Sequence, residues 1–440
     1  MNTRIVIVGA GGVEFPIRLM NDFLSFTALA DAEYVLMDID PVPLERTARL
    51  SQQIASAHGL PARIRSTTSL REALTDAQFV VTCFQVGGRT AYRHDIEIPL
   101  KYGLDQTVGD TLGPGGVMRG LRSMRALDEI CSAMNELCPE ALLLNETNPM
   151  SINCAFTSSQ GVETVGLCHS IQHTAQEIAD IVGYADGTWS FRAAGINHQA
   201  WMLEYRHNGV DVLPEVRRAL SAYGRGEADP VVPIDEWYAG GREAVRLAIM
   251  ELTGYFQTES SHHASEYYPY FRRTAEDRER VLPQPWRYLE VSSATTEDDL
   301  ERLAAESSSG ELETTEEYAA RIVDSIVTDT PRTVYGNVPN HGLITNLPPN
   351  SCVEVPILVD ASGVQPTVVG DLPVACAAVN QASVGLQALA VEAYRTRSKD
   401  LVYAAIAMDR LTGSVLSLDE IRSMTDELID AERGWLPELQ

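Results

Sequence analysis

A chain of 440 residues is too long for one ordinary core and predicts two domains, or one large α/β domain with an added lobe. Its apolar content of 45% is that of a globular protein, and its net charge of -27 argues against nucleic acid or anionic membranes as partners, since both recruit Lys and Arg. Seven cysteines without dense spacing argue against a disulfide framework and suit a reducing cytoplasm, no uninterrupted apolar run approaches the roughly 20 residues that cross a bilayer, and the opening MNTRIVIVGAGG lacks a signal-peptide cleavage pattern.

Arg4 to Val8 (RIVIV) is a short β-branched run, followed by Gly9, Ala10, Gly11 and Gly12 and then a helical pattern through Phe15, Ile17, Leu19 and Met20. That order predicts strand, turn, helix. A second strand, Tyr34 to Asp40 (YVLMDID), ends in acids, and Pro41 and Pro43 open a helix through Leu44 and Leu50, completing a βαβ unit. Further buried strands are predicted at Phe79 to Phe84, Ala141 to Asn145 and Val165 to Cys168, with helices over Val117 to Met134 and Ile171 to Ile181. The alternation predicts an α/β fold with a Rossmann-like, doubly wound parallel sheet over roughly the first 190 residues. Beyond it, longer helical stretches with a few strands predict a mixed α+β lobe, and Thr295 to Glu317, rich in Glu, Ser and Thr, reads as exposed helix or loop.

Glycines after a first strand let the backbone approach a pyrophosphate, to which the next helix offers unpaired N–H groups. Gly9, Gly11 and Gly12 meet that need loosely, because the third glycine of GxGxxG would fall at position 14, where the chain has Glu14. Alone, the loop is equally a plain glycine turn. Asp38, 27 residues beyond Gly11, strengthens the dinucleotide reading. An acid there accepts hydrogen bonds from the adenosine ribose and repels a 2′-phosphate, favouring NAD over NADP. Asp40 is the alternative, and either acid could instead cap the helix before Pro41. Residues 1–195 are therefore expected to be the NAD-binding domain, and 196–440 a substrate, metal and oligomerisation domain.

Four segments are rich in groups that hold a sugar or a metal: DTLGPGGVMRGLR (Asp110 to Arg122), NETNPM (Asn145 to Met150), GLCHS (Gly166 to Ser170) and GINH (Gly195 to His198). The second and third follow strand candidates, and ligands of open parallel sheets collect beyond the C-terminal strand ends. Cys168 and His198 stand 30 residues apart, each in a glycine-containing loop. Taken alone, such a pair reads more readily as a buried Cys and a satisfied core His. As ligands they would make an open site with positions for substrate hydroxyls and water.

FQVGG, QTVGDTLGPGGVMRGLR, TNPM, GLCHS, GINH and ESSHHASEYYPYF resemble, in order, the motifs of glycoside hydrolase family 4. VYGNV, GLITNLP, CVEVPILVD, QPTVVGDLP and the closing GWLPELQ extend the likeness over nearly the whole chain, toward the family's α-galactosidase branch. The resemblance implies an NAD- and divalent-metal-dependent glycosidase, usually using manganese, outside the two-carboxylate scheme. In it, C3 of the sugar is oxidised, C2 deprotonated, the glycosidic oxygen eliminated, water added at C1 and C3 reduced again. It implies Cys168 and His198 as metal ligands, Asn148 as a binder of substrate hydroxyls (or a turn residue before Pro149), and His169 as acid where some relatives carry Asp. Ser261 falls where relatives carry the C2 base; His263, Glu259 and Tyr255 are alternatives, with Asp110 able to polarise a base or water. His262 and His263 read equally as a solvated pair. The expected partner is a small α-galactoside, in a cytoplasmic homodimer or homotetramer. The competing readings are an α-glucosidase or α-galacturonidase of the same family, a malate- or lactate-type NAD dehydrogenase, and an inactive sugar-binding protein.

Overall fold

The computed structural model describes residues 3–184, 188–234, 236–284, 286–292, 296–312 and 314–440, and only the backbone of 236–240. Six strands follow the predicted alternation: β1 (Arg4–Val8), β2 (Glu33–Met37), β3 (Arg63–Thr67), β4 (Phe79–Thr82), β5 (Leu142–Asn145) and β6 (Thr164–Gly166). They pair parallel in the order β3-β2-β1-β4-β5-β6, the doubly wound arrangement. Burial on both faces explains why β1, β4 and β5 read as unbroken apolar runs, with Ile5, Ile7, Val80, Val81, Leu143 and Leu144 fully buried. β3 escapes the apolar-run criterion because it is the sheet edge, and its RIRST keeps charged residues at partly exposed positions.

The second half continues the same sheet. β7 (Trp189–Ile196), β8 (Gln199–His207), β9 (Val210–Asp211), β10 (Arg332–Pro339), β11 (Cys352–Asp360) and β12 (Gly363–Pro366) are antiparallel additions. β10 joins β6 at Asn337 and Gly166, and β11 joins β7 at Glu354 and Gly195. The chemistry-bearing ends of β6 and β7 are thereby brought into one sheet although 30 residues separate Cys168 from His198.

The helix predicted at Val117 to Met134 begins earlier and spans Gly113–Leu137. Its first turn has no room for side chains: a Cβ on Gly116 would lie 2.5 Å from the Thr111 carbonyl carbon, and one on Gly115 would strike the Gly109 carbonyl. The 107–112 loop therefore lies directly on the helix start. Further along, Arg122 is fully buried and pairs with Asp95 at 2.7 Å and with Glu432 of the C-terminal helix. The stretch expected to be exposed between Thr295 and Glu317 forms a helix, Glu297–Ser309, that buries Leu300 and Ala304 and pairs Glu297 with Arg46; Thr295 and Glu313 lie outside the described residues. Among the described residues one helix, Val374–Thr396, is by length and composition apolar enough to span a membrane, although the sequence shows no uninterrupted apolar run of that length; half of its apolar window is buried inside the protein.

Candidate active site

At the nucleotide end, the chain leaves β1 through Gly9, where a φ of 97° and the 2.8 Å that would separate an added Cβ from the Cys83 carbonyl carbon and Phe84 N require glycine. Gly9 and Ala10 both donate to the Met37 carbonyl, and Gly11 N–H donates to Asp38 Oδ2 at 2.8 Å. A Cβ on Gly11 would meet the Asp38 carboxylate at 2.8 Å, so loop and acid are fitted to each other. Asp40 is different: its side chain accepts from Val42 N–H and caps the helix Pro41–Ala57. Glu14, at the odd position of the motif, is tied to Arg18 one turn along the helix at 2.6 Å. The glycine loop, the start of helix Phe15–Ser25 and Asp38 form a cradle fitting a dinucleotide.

At the other end, the strand termini and the 259–267 segment converge on His198. Glu266 binds the segment to the 107–112 loop, its carboxylate accepting from the N–H groups of Thr107, Val108 and Gly109. Thr111 Oγ1 then stands 2.9 Å from His198 Nδ1 and 2.8 Å from Asp110 Oδ1, to which it donates. With its proton committed to Asp110, the hydroxyl accepts from His198, so Nδ1 carries the imidazole proton and Nε2 presents a lone pair. Tyr267 hydroxyl lies 3.3 Å from the same Nδ1. Burial, reinforced by His263, pushes His198 down to about 4, so it is neutral and able to ligate.

Two groups of potential metal ligands share His198: Cys168 with Glu259, and Asp110 with His263, each with its ligand atoms within 4.8 Å of one another. Asp110 is already engaged. Its Oδ1 meets Thr111 and, at 3.1 Å, His263 Nε2; its Oδ2 accepts from Asn148 at 2.9 Å and lies 3.4 Å from the Arg119 guanidinium. Burial would raise the Asp110 carboxyl, but the protonated His263 and Arg119 hold it below the usual carboxylate range. Glu259 is likewise kept ionised against its burial by the protonated His263. Cys168 is the converse: burial, with the Glu354 and Glu259 charges, pushes its thiol well up, so it keeps its proton until a cation draws it off. Cys168 and His198 Nε2 together fit a divalent ion.

The remaining expected residues sort clearly. Asn148 Oδ1 is buried without a hydrogen-bond partner, an acceptor available to a hydroxyl, while its amide holds Asp110. His169 is half exposed; its surroundings oppose a charge, but Glu317, 3.1 Å from Nδ1, raises it to about 9, so it is protonated at neutral pH and suited to donate. His263 is also held protonated: burial opposes it, but Asp110 and Glu259 raise it to about 10. That charge suits a hydrogen-bond donor and conflicts with the expectation of a free base at C2. Ser261 is turned away, its hydroxyl donating to Glu243 at 2.7 Å within a buried cluster with Arg246. Tyr255 lies beneath the Arg217 guanidinium. His262 and His263 are not a solvated pair, for both are buried, and His262 packs on Trp286 at 5.1 Å. Thr111, Tyr267 and Glu266 were missed as site residues; they stand in DTLGPGG and ESSHHASEYYPYF, but nothing in the spacing says that the two segments meet.

Residues 4–184 match the model for family 4 glycosyl hydrolases, and residues 193–412 match that for the family 4 glycosyl hydrolase C-terminal domain. An α-galactosidase of Rhizobium meliloti (strain 1021) is 36% identical over 450 residues, covering 99% of this chain and 89% of that protein. An α-galactosidase of Bacillus subtilis (strain 168) is 34% identical, covering 99% of each. A 6-phospho-alpha-glucosidase from gut microorganisms, solved in complex with NAD and Mn2+, shares the fold with a TM-score of 0.82 at 21% identity, covering 100% of each chain.

Proposed function

The chain belongs to family 4 of the glycosyl hydrolases, and from that we propose that it is an NAD- and divalent-metal-dependent α-galactosidase acting on a small α-galactoside. The observation that carries this reading is the convergence of Cys168, His198, Glu259 and the open Asn148 acceptor in a sheet whose first strands hold the Gly9–Gly12 and Asp38 cradle. The Gly9–Gly12 loop and Asp38 would hold NAD, which would supply a reversible hydride acceptor, and Cys168 and His198 would hold a divalent ion, which would supply positive charge against a developing anion.

The residues supply positioning and proton transfer. Asn148 receives a sugar hydroxyl on Oδ1 and is itself held by Asp110. His169, charged beside Glu317, donates a proton to the departing glycosidic oxygen and, being half exposed, regains it from water. His263 stays protonated between Asp110 and Glu259 and fixes both carboxylates. Asp38 holds the nucleotide loop and selects NAD by repelling a 2′-phosphate. Residues 1–195 then hold the nucleotide and also carry Asn148, Cys168 and His169 to the sugar, while 196–440 adds His198, Glu259 and His263, in a cytoplasmic homodimer or homotetramer.

Hydrolysis of 4-nitrophenyl α-galactoside tests the reading, measured with and without NAD, manganese and a thiol reductant. Turnover should require both NAD and the ion. Cleavage in the absence of NAD, or preference for α-glucosides or α-galacturonides, would overturn the assignment.

A further inference from the structure

The geometry points to Glu259 as a third protein ligand of the metal, beside Cys168 and His198. The inference rests on the reading of those two residues as ligands and adds to it a carboxylate with no ligand role so far. Glu259 Oε2 stands 3.7 Å from His198 Nε2, too far for a hydrogen bond. Two donors held by one ion at about 2.0 to 2.3 Å stand roughly 3 to 3.7 Å apart, so this gap has the width that a shared cation leaves. The Sγ of Cys168 lies within 4.8 Å of both.

Four further observations favour this group over Asp110 and His263. The proton on His198 Nδ1 is committed to Thr111, so the ligating lone pair belongs to Nε2, the nitrogen that faces Glu259. Asp110 is occupied by Thr111, His263 and Asn148, and the Arg119 guanidinium 3.4 Å away repels a cation there. Glu259 and His198 are both non-glycine residues in the left-handed region, at φ 76° and 60°, backbone strain that persists where surrounding structure holds a side chain in one place. Glu259 Oε1 is fixed by Ser260 N–H at 3.1 Å and faces His263 Nδ1 at 3.6 Å, which leaves Oε2 directed at His198.

The chemistry of the set changes as a result. Thiolate and imidazole alone favour softer ions, whereas a carboxylate oxygen is a ligand suited to manganese, and its second negative charge beside the thiolate balances a divalent cation. Glu259 would thus make a site built on Cys and His hospitable to Mn2+.

The test uses the full-length protein and Mn2+ alone, with free ion followed by electron paramagnetic resonance and NAD binding by fluorescence. Glu259→Gln should weaken Mn2+ by more than about 100-fold, as loss of a directly bound charged ligand exceeds the 10- to 100-fold typical of outer partners, and leave NAD affinity unchanged. In the Co2+-loaded variant the thiolate charge-transfer band should persist while the ligand-field bands shift. If Gln prevents folding, Glu259→Asp, which keeps the charge but retracts the carboxylate, carries the same comparison. Wild-type Mn2+ affinity in the folded variant overturns the proposal, and so does loss of the ion in His263→Gln but not in Glu259→Gln. Failure of the wider reading is distinct: Cys168→Ser would then retain Mn2+ as well.

Discussion

The Thr111 hydroxyl stands 2.9 Å from His198 Nδ1 and donates its own hydrogen bond to Asp110, so a threonine sets the tautomer of the imidazole. Thr111→Val removes that hydroxyl with little change in shape. Metal affinity should fall about 10- to 100-fold, the usual effect of losing a group that orients a ligating histidine. Titration with Mn2+ checks this, and unchanged affinity would show that His198 needs no such partner.

Cys168→Ser removes the only thiolate of the donor set. Turnover should drop by at least about 1,000-fold, equivalent to about 4 kcal/mol of lost charge stabilisation, even with excess manganese. NAD binding should not change, because Asp38 and Gly9 to Gly12 lie at the other end of the site. Near-normal turnover with normal metal content would refute the ligand assignment, and joint loss of NAD binding and folding would mark Cys168 as a core residue.

Asp38 accepts from Gly11 N–H at 2.8 Å, and a methyl group on Gly11 would collide with it. Gly11→Ala should weaken NAD by about tenfold or more, since about 1.4 kcal/mol suffices for that factor. Asp38→Ser should instead narrow the preference for NAD over NADP by removing a negative charge from the 2′ position. Binding measurements with both cofactors separate the two effects; an Asp38→Ser variant that still rejected NADP as the wild type does would reassign the discrimination.

Arg122 lies wholly buried between Asp95 and Glu432. Arg122→Met leaves Asp95 without a countercharge and Glu432 without its hydrogen-bond donor and should destabilise the fold by about 3 to 5 kcal/mol, read by denaturant unfolding. The same cluster sets a pH dependence. Burial, with Asp95 nearby, raises the Glu432 carboxyl against the opposing pull of Arg122, and one of its oxygens has no partner. A raised folded-state pKa means that the folded protein holds a proton the unfolded chain has lost. The contribution is therefore complete below the ordinary glutamate range and is lost progressively as pH rises from there to about 9. Glu432→Gln should flatten the fall in Tm across that window; parallel curves for variant and wild type would place the titration elsewhere.

Deprotonation at C2 leaves an isotopic record. Galactose released in heavy water should carry deuterium at C2, and no net reduced nicotinamide should build up, because hydride leaves and returns within one turnover. Accumulation of reduced cofactor in proportion to product would identify a dehydrogenase instead.

The sequence alone determined the parallel half of the fold apart from its edge strand β3, because strands buried on both faces must be apolar throughout. It also carried the family likeness and the pairing of Cys168 with His198, since short motifs record the chemistry of individual loops. What it did not carry was contact between loops. Only the tertiary structure turned Ser261 toward Glu243, separated Asp38 on the glycine loop from Asp40 on its helix cap, and set Thr111 against His198. Those relations depend on Glu266 clasping a loop 157 to 159 residues away in the chain, and on the 107–112 loop lying against glycines of the next helix. Such distances follow from packing and hydrogen bonding in three dimensions, which no local periodicity encodes. The protonation of His263 likewise arises from two carboxylates that meet it only in the folded chain, Asp110 from across the sequence and Glu259 through a left-handed turn.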